Sequence, residues 1–187
     1  MKILSETAGL ERLRHIRDNL LSELAPYNDR AKSCSTCETP GACCLDEHFV
    51  NVRISRLEAV AISNVIEQLS PIRRAAVEER VLNVSSRLTA AGEEATFTCP
   101  LYEKGTGCLV HDEAKPVPCM IHACYERRED LPPDDLQDAA ELAIDKLNAR
   151  VYGRHLPLQP VPIAVHAILR TRKSQAITSP ARNHPAS

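Results

Sequence analysis

All eight cysteines of this chain fall in two short stretches, and no other side chains in it are so clearly spaced for chemistry. The first stretch runs Cys34-Ser-Thr-Cys37 and, five residues on, the adjacent pair Cys43-Cys44. A Cys-x-x-Cys turn sets two sulfurs on one side of a tight bend, where both converge on a single centre at zinc–sulfur bond lengths of about 2.3 Å. The same spacing serves thioredoxin-like redox sites, but those lie where a strand enters a helix, and no βαβ pattern precedes Cys34. Neighbouring side chains of an extended backbone point apart. Cys43 and Cys44 therefore share one metal only if the chain turns, which Gly41 would permit; otherwise they serve different metals, or one of them packs. The second stretch carries Cys99, Cys108, Cys119 and Cys124. Pro100, Gly105, Gly107, Pro116 and Pro118 interrupt it, removing competing regular structure and letting backbone approach sulfur closely. Free backbone N–H groups there can donate to sulfur and tune a site.

Sulfur-only ligation selects zinc, copper(I) or iron–sulfur clusters over hard cations. Four thiolates complete a structural zinc site or a simple iron–sulfur cluster. The candidate metal ligands are thus Cys34, Cys37, Cys43, Cys44, Cys99, Cys108, Cys119 and Cys124, holding a zinc ion or an iron–sulfur cluster. One set per stretch and a site shared between stretches both remain open. His48, His111 and His122 lie beside the cysteines as possible replacements for sulfur, with His122 foremost because it sits between Cys119 and Cys124. Other catalytic constellations are thin. His111-Asp112-Glu113 reads as a solvated turn, and neither a phosphate loop nor a nucleophile turn is present.

The opening residues mix charges with apolar side chains and contain no apolar secretory core, so a cytoplasmic location is expected. Thiols stay reduced there, which favours ligation over disulfides. A formal net charge of -2 gives no reason to expect nucleic acid or an anionic membrane as partner. No apolar run approaches the roughly 20 residues that cross a bilayer.

The elements that must position the cysteines read as helices. Across 187 residues, 43% are hydrophobic but only 3% aromatic, with no Trp. Such a core of Leu, Ile, Val and Ala favours helix packing over a sandwich. The fold class expected is mainly α: a small helical domain with two irregular Cys-rich loops. Leu10, Leu13, Ile16, Leu20, Leu21 and Leu24 stripe a helix over residues 6–25, with Glu6, Glu11, Arg12, Arg14, Arg17 and Asp18 on the other face and Pro26 as its end. Ser55 and Glu58 form a capping box for a second helix. A third occupies residues 71–91 and stops at Gly92. A fourth, capped by Asp134 or Asp135, runs to about Val151, before Gly153; a fifth covers Val161–Leu169. Residues 1–170 form one domain, and the polar, Pro-containing stretch 171–187 reads as a disordered tail.

The cysteine pattern resembles the YkgJ-like (CxxCxxCC) cysteine-cluster family, described as zinc- or iron-chelating. Its members carry a Cys-x-x-Cys and a Cys-Cys pair, then Cys-Pro-x-Leu, a Gly-preceded Cys and Arg-Pro-x-x-Cys. The corresponding residues are Cys34, Cys37, Cys43 and Cys44, then Cys99-Pro100-Leu101, Gly107-Cys108 and Lys115-Pro116-Val117-Pro118-Cys119. This chain departs from the pattern in a longer gap after Cys37 and in Lys115, which keeps the charge of the family's arginine but not its planar fork. The resemblance implies metal binding. Flagellin lysine N-methylases resemble the same family, which implies methyl transfer from S-adenosylmethionine as an alternative. The Cys-x-x-x-Cys-x-x-Cys run of radical enzymes using that cofactor and a Gly-rich nucleoside loop are both missing here. The expectation is a metal-binding protein. The alternatives are an iron–sulfur enzyme and a zinc-stabilised module that presents a helical face to an unidentified protein partner.

Overall fold

The computed structural model describes residues 3–32, 41–45, 51–92 and 95–178. Its described residues are mainly helical, with strands only two residues long. Helix α1 (Glu6–Asn28) starts at Ser5, whose Oγ accepts the Ala8 N–H at 3.2 Å, and it buries Gly9, Leu13, Arg17, Leu20 and Leu24. Pro26 does not end it: the proline occupies the last turn, and the Asp29 N–H still reaches the Ala25 carbonyl at 3.1 Å. Proline removes one donor and crowds the preceding turn, and a residual turn this close to the helix end accommodates both losses.

A short turn of helix, α2 (Ala42–Leu45), carries Cys43 and Cys44. Strand β1 (Arg53–Ile54) leads into α3 (Arg56–Gln68), and the expected capping box is present: Glu58 N–H donates to Ser55 Oγ while Glu58 Oε2 accepts the Ser55 N–H at 2.8 Å. Helix α4 (Pro71–Ala91) has proline in its first turn, where the missing N–H costs nothing, and it stops at Gly92 with φ +96°. A miniature hairpin, β2 (Tyr102–Glu103) with β3 (Gly107–Cys108), and a short helix α5 (Val117–Ile121) follow within the second cysteine segment. After a 3₁₀ turn at Arg128–Asp130 comes α6 (Asp134–Tyr152). Its N-cap position is Pro133, and Asp134 and Asp135 lie inside the first turn, where they complement the helix dipole. Strand β4 (Gln159–Pro160) pairs antiparallel with β1 and hands over to α7 (Val161–Thr178).

The boundary expected at Thr171 falls inside α7, eight residues short of its end at Thr178. Polar composition masked this extension. Its charged side chains have partners across the interface: Arg172 meets Glu67 and the Asn64 side chain, and Lys173 meets Glu78. Residues 179–187 lie outside the described residues.

Two apolar cores result. One joins α3, α4 and α7 through Ile62, Ile66, Val77, Val81, Val165 and Ile168. The other joins α1, α5 and α6 through Leu13, Leu20, Leu24, Met120, Ile144 and Leu147. The second cysteine segment bridges them: Leu101 and Val110 enter the first core, Val117 and Met120 the second. No helix among the described residues is long and apolar enough to cross a membrane.

Candidate functional site

Cys43 and Cys44 are brought to the second segment by two contacts. The Cys99 N–H donates to the Cys44 carbonyl at 2.8 Å. Gly41, at φ +82°, turns the chain just ahead of the pair. That turn passes so close to the Tyr102 ring that a Cβ at Gly41 would collide with it, so glycine is needed for both its conformation and its lack of side chain.

Within the second segment, backbone N–H groups are aimed at sulfur. The Cys99 sulfur accepts from Leu101 and Tyr102, and the Cys108 sulfur accepts from Val110. Donors in this position favour thiolate over thiol. Burial acts in the opposite direction and prevails, pushing the Cys99 thiol up to about 11 and the Cys119 thiol up to about 12, and raising Cys108 as well.

The thiols also act on one another. Cys44 is driven upward first by donating its S–H to Cys43, then by burial, and then by the nearby charges of Cys99, Cys43 and Cys108. Cys43 receives that hydrogen bond and moves down, aided by His122 and Lys115 against the effect of burial. Cys119 feels Cys99 and Cys108. Cys99 and Cys108 thus lie within electrostatic reach of Cys43 and Cys44 on one side and of Cys119 on the other. Lys115 lowers Cys43, Cys108 and Cys119 alike, so it supplies positive potential to the group.

Cys124 is exposed, and its carbonyl accepts the Lys32 N–H at 2.8 Å. His122 follows α5 and faces Cys43 electrostatically; His111 is exposed, lowered by burial and then by Lys115. Cys34, Cys37 and His48 lie outside the described residues. Among the described residues, no group of three or more His, Cys, Asp or Glu side chains stands in metal-holding geometry. The described cysteines are thus neighbours, but their sulfurs do not converge on a common point.

Arg17 and Glu58 complete the surroundings. Arg17 recurs on the stripe of Leu13, Leu20 and Leu24 and is only 5% exposed, so its placement on the outer, charged face of the helix is corrected. A charged residue at an apolar stripe position is the signal that marks it. Its Nε donates to the Lys115 carbonyl at 3.1 Å, Nη1 to that of Glu113, and Nη2 to that of Asp112 at 3.5 Å. Glu58 is legible from sequence as a cap, but its carboxylate also accepts the Val117 N–H at the start of α5.

No family model matches the chain, and no curated protein or solved structure matches it either.

Proposed function

We propose that this protein binds metal through cysteine thiolates, as a zinc ion or an iron–sulfur cluster. One observation carries the reading: Cys43, Cys44, Cys99, Cys108 and Cys119, drawn from two segments far apart in sequence, perturb one another's ionisation across a short distance. Burial raises the cost of ionising Cys99, Cys108 and Cys119, with neighbouring thiols adding to it, and Cys44 is raised by its hydrogen bond to Cys43, then by burial, then by its neighbours. A bound cation reverses that cost, because it deprotonates its thiol ligands outright. Cys44, Cys99, Cys108 and Cys119 form the best four-sulfur set, with Cys43 and His122 beside it. Bound there, the metal supplies cross-linking of the two segments. The chain supplies N–H donors to two sulfurs and a nearby ammonium that offsets the charge of several thiolates.

Elemental analysis with an absorption spectrum tests this, on protein made in iron-replete, zinc-containing medium and kept from air. Near-stoichiometric zinc without colour, or iron with a sulfur-to-iron charge-transfer band, is the expected result. Metal-free protein of full stability, unable to take up zinc or cobalt(II) when its thiols are reduced, would refute the reading.

A further inference from the structure

The stretch between Cys108 and Cys119 has little regular structure of its own. Pro116 and Pro118 have no N–H to give, and the carbonyls of Asp112, Glu113 and Lys115 turn toward α1. Carbonyl groups in such a setting must find donors or lose free energy. One side chain meets all three. A guanidinium offers five donors in a rigid planar fork, and Arg17, almost wholly buried, spreads its fork over these three carbonyls. From the other side the Glu58 carboxylate, buried on α3 and fixed by Ser55 N–H at 2.8 Å and Ser55 Oγ–H at 2.9 Å, accepts the Val117 N–H. After Asp18, Glu58 is among the groups that hold the Arg17 guanidinium charged against its burial, while burial pushes the Glu58 carboxyl itself up.

We infer that Arg17 and Glu58 are positioning residues for the sulfur centre: together they clasp the Asp112–Val117 segment and so set the placement of Cys119 relative to Cys108. The inference rests on the metal-binding reading above. It goes beyond that reading in assigning the metal's geometry and affinity to two charged residues on helices that carry no cysteine. Neither residue touches sulfur in the contacts described. Arg17 acts through the carbonyls before Pro116, while Glu58 meets the N–H two residues before Cys119 and also bears on that thiol through its charge. The arrangement also explains the choice of Arg over Lys at position 17, since an ammonium cannot span three carbonyls from one buried position.

The test is cobalt(II) titration of the full chain under reducing conditions, followed through the visible ligand-field bands that report coordination geometry. Five proteins are compared: wild type, Arg17→Met, Arg17→Lys, Glu58→Gln and Val165→Ala. Val165 lies on α7 in the core that Leu101, Val110 and Ala114 also enter, makes none of the clasp's hydrogen bonds, and its truncation measures what a loss of stability in that core does to binding. Arg17→Met and Glu58→Gln are expected to weaken cobalt(II) binding about 10- to 100-fold, the usual effect of removing an outer-shell partner, and to shift the bands. Arg17→Lys keeps the charge and is expected to leave the bands shifted, whereas Val165→Ala should melt at lower temperature with wild-type bands and affinity. If Arg17→Met does not fold, Arg17→Lys and Glu58→Gln decide the matter. Wild-type bands and affinity in both Glu58→Gln and Arg17→Lys overturn the inference, as does an equal loss of binding in Val165→Ala. Wild-type protein that takes no cobalt(II) overturns the metal reading itself, a result distinct from intact binding in every variant.

Discussion

The α4–α7 interface and the cysteine segment from residue 95 to residue 125 are held in place by different means. Between α4 and α7, Val77 and Val81 share a cluster with Val165, Ile168 and Leu169, and ion pairs are confined to the rim. Helical hydrogen bonds satisfy that backbone internally, so its side chains are free to be apolar. In the cysteine segment, Leu101, Val110, Val117 and Met120 anchor the chain at intervals, and long charged side chains reach from the helices to satisfy its backbone. Arg17 serves three carbonyls, Arg80 donates to the Pro100 carbonyl at 3.1 Å, and Glu58 takes the Val117 N–H. Where cysteines must face inward together, the chain gives up regular ladders, and it recovers order through polar contacts donated by its neighbours. On the metal-binding reading proposed above, the helical frame should be stable without a bound metal, while the segment should gain order from one.

Removing the metal should divide the molecule along this line and gives the largest expected effect. Structural zinc sites contribute roughly 10–16 kcal/mol of apparent binding free energy. Chelation is therefore expected to raise amide exchange in residues 99–124 by more than about tenfold while the amides of α3, α4 and α7 stay protected, since local opening follows local contacts. Cys99→Ser or Cys119→Ser should lower metal affinity by more than about 100-fold, beyond the usual cost of losing an outer-shell partner. Uniform loss of protection across both regions would show that the frame has no independent stability.

A cavity in the frame probes the comparison from the other side. Ile62 on α3 is fully buried in the core with α4 and α7. Ile62→Ala is expected to cost about 2–5 kcal/mol in urea unfolding. Metal affinity should fall far less than in Cys99→Ser, since Ile62 shares a core with Leu101 and Val110 but supplies no sulfur. A large fall in affinity would join the two regions into one cooperative unit.

Ser55 belongs to both regions. Its hydroxyl caps α3 and also donates to Glu58 Oε2 at 2.9 Å. Ser55→Ala is expected to cost about 1–2 kcal/mol of stability, the upper range for a cap. Binding should weaken less than in Glu58→Gln, since the Ser55 N–H still holds the carboxylate. Measuring urea unfolding and cobalt(II) affinity on the same sample separates the two contributions.

How much of this was legible from sequence follows the same division. The helices were readable because periodicity, capping boxes and glycine stops are local signals: Ser55 with Glu58, Gly92 and Gly153 all stand where the pattern put them. Two ends were misplaced by tertiary effects. Pro26 is tolerated inside α1, and α7 runs on to Thr178 because its polar residues pair with α3 and α4. At the site, Gly41 announced the turn. Neighbourhood was not announced: nothing in the spacing says that Cys44 meets Cys99 or that Arg17 turns inward. Those facts depend on how α1 and α3 pack against the loop, which a local reading of residues does not contain.

The smallest expected effect tests the rim of the frame. Glu78 on α4 lies between Arg74, at 2.8 Å, and Lys173 of α7, at 2.6 Å. Burial alone would raise its carboxyl, but hydrogen bonds and charge from those two partners hold it below the usual carboxylate range. A carboxyl with a lowered folded-state pKa contributes stability above its unfolded pKa of about 4.3 and loses that contribution as pH falls through the folded value. The Lys173 side chain is 59% exposed, so solvent screens much of the pair. Glu78→Gln is then expected to cost only about 0.5 kcal/mol at neutral pH. The difference between variant and wild type in urea unfolding should shrink steadily below pH ~4 and close once the wild-type carboxyl is protonated. An unchanged gap at low pH would mean that Glu78 acts by packing, and the rim of the frame would then be held by shape, as its core is, with charge adding nothing.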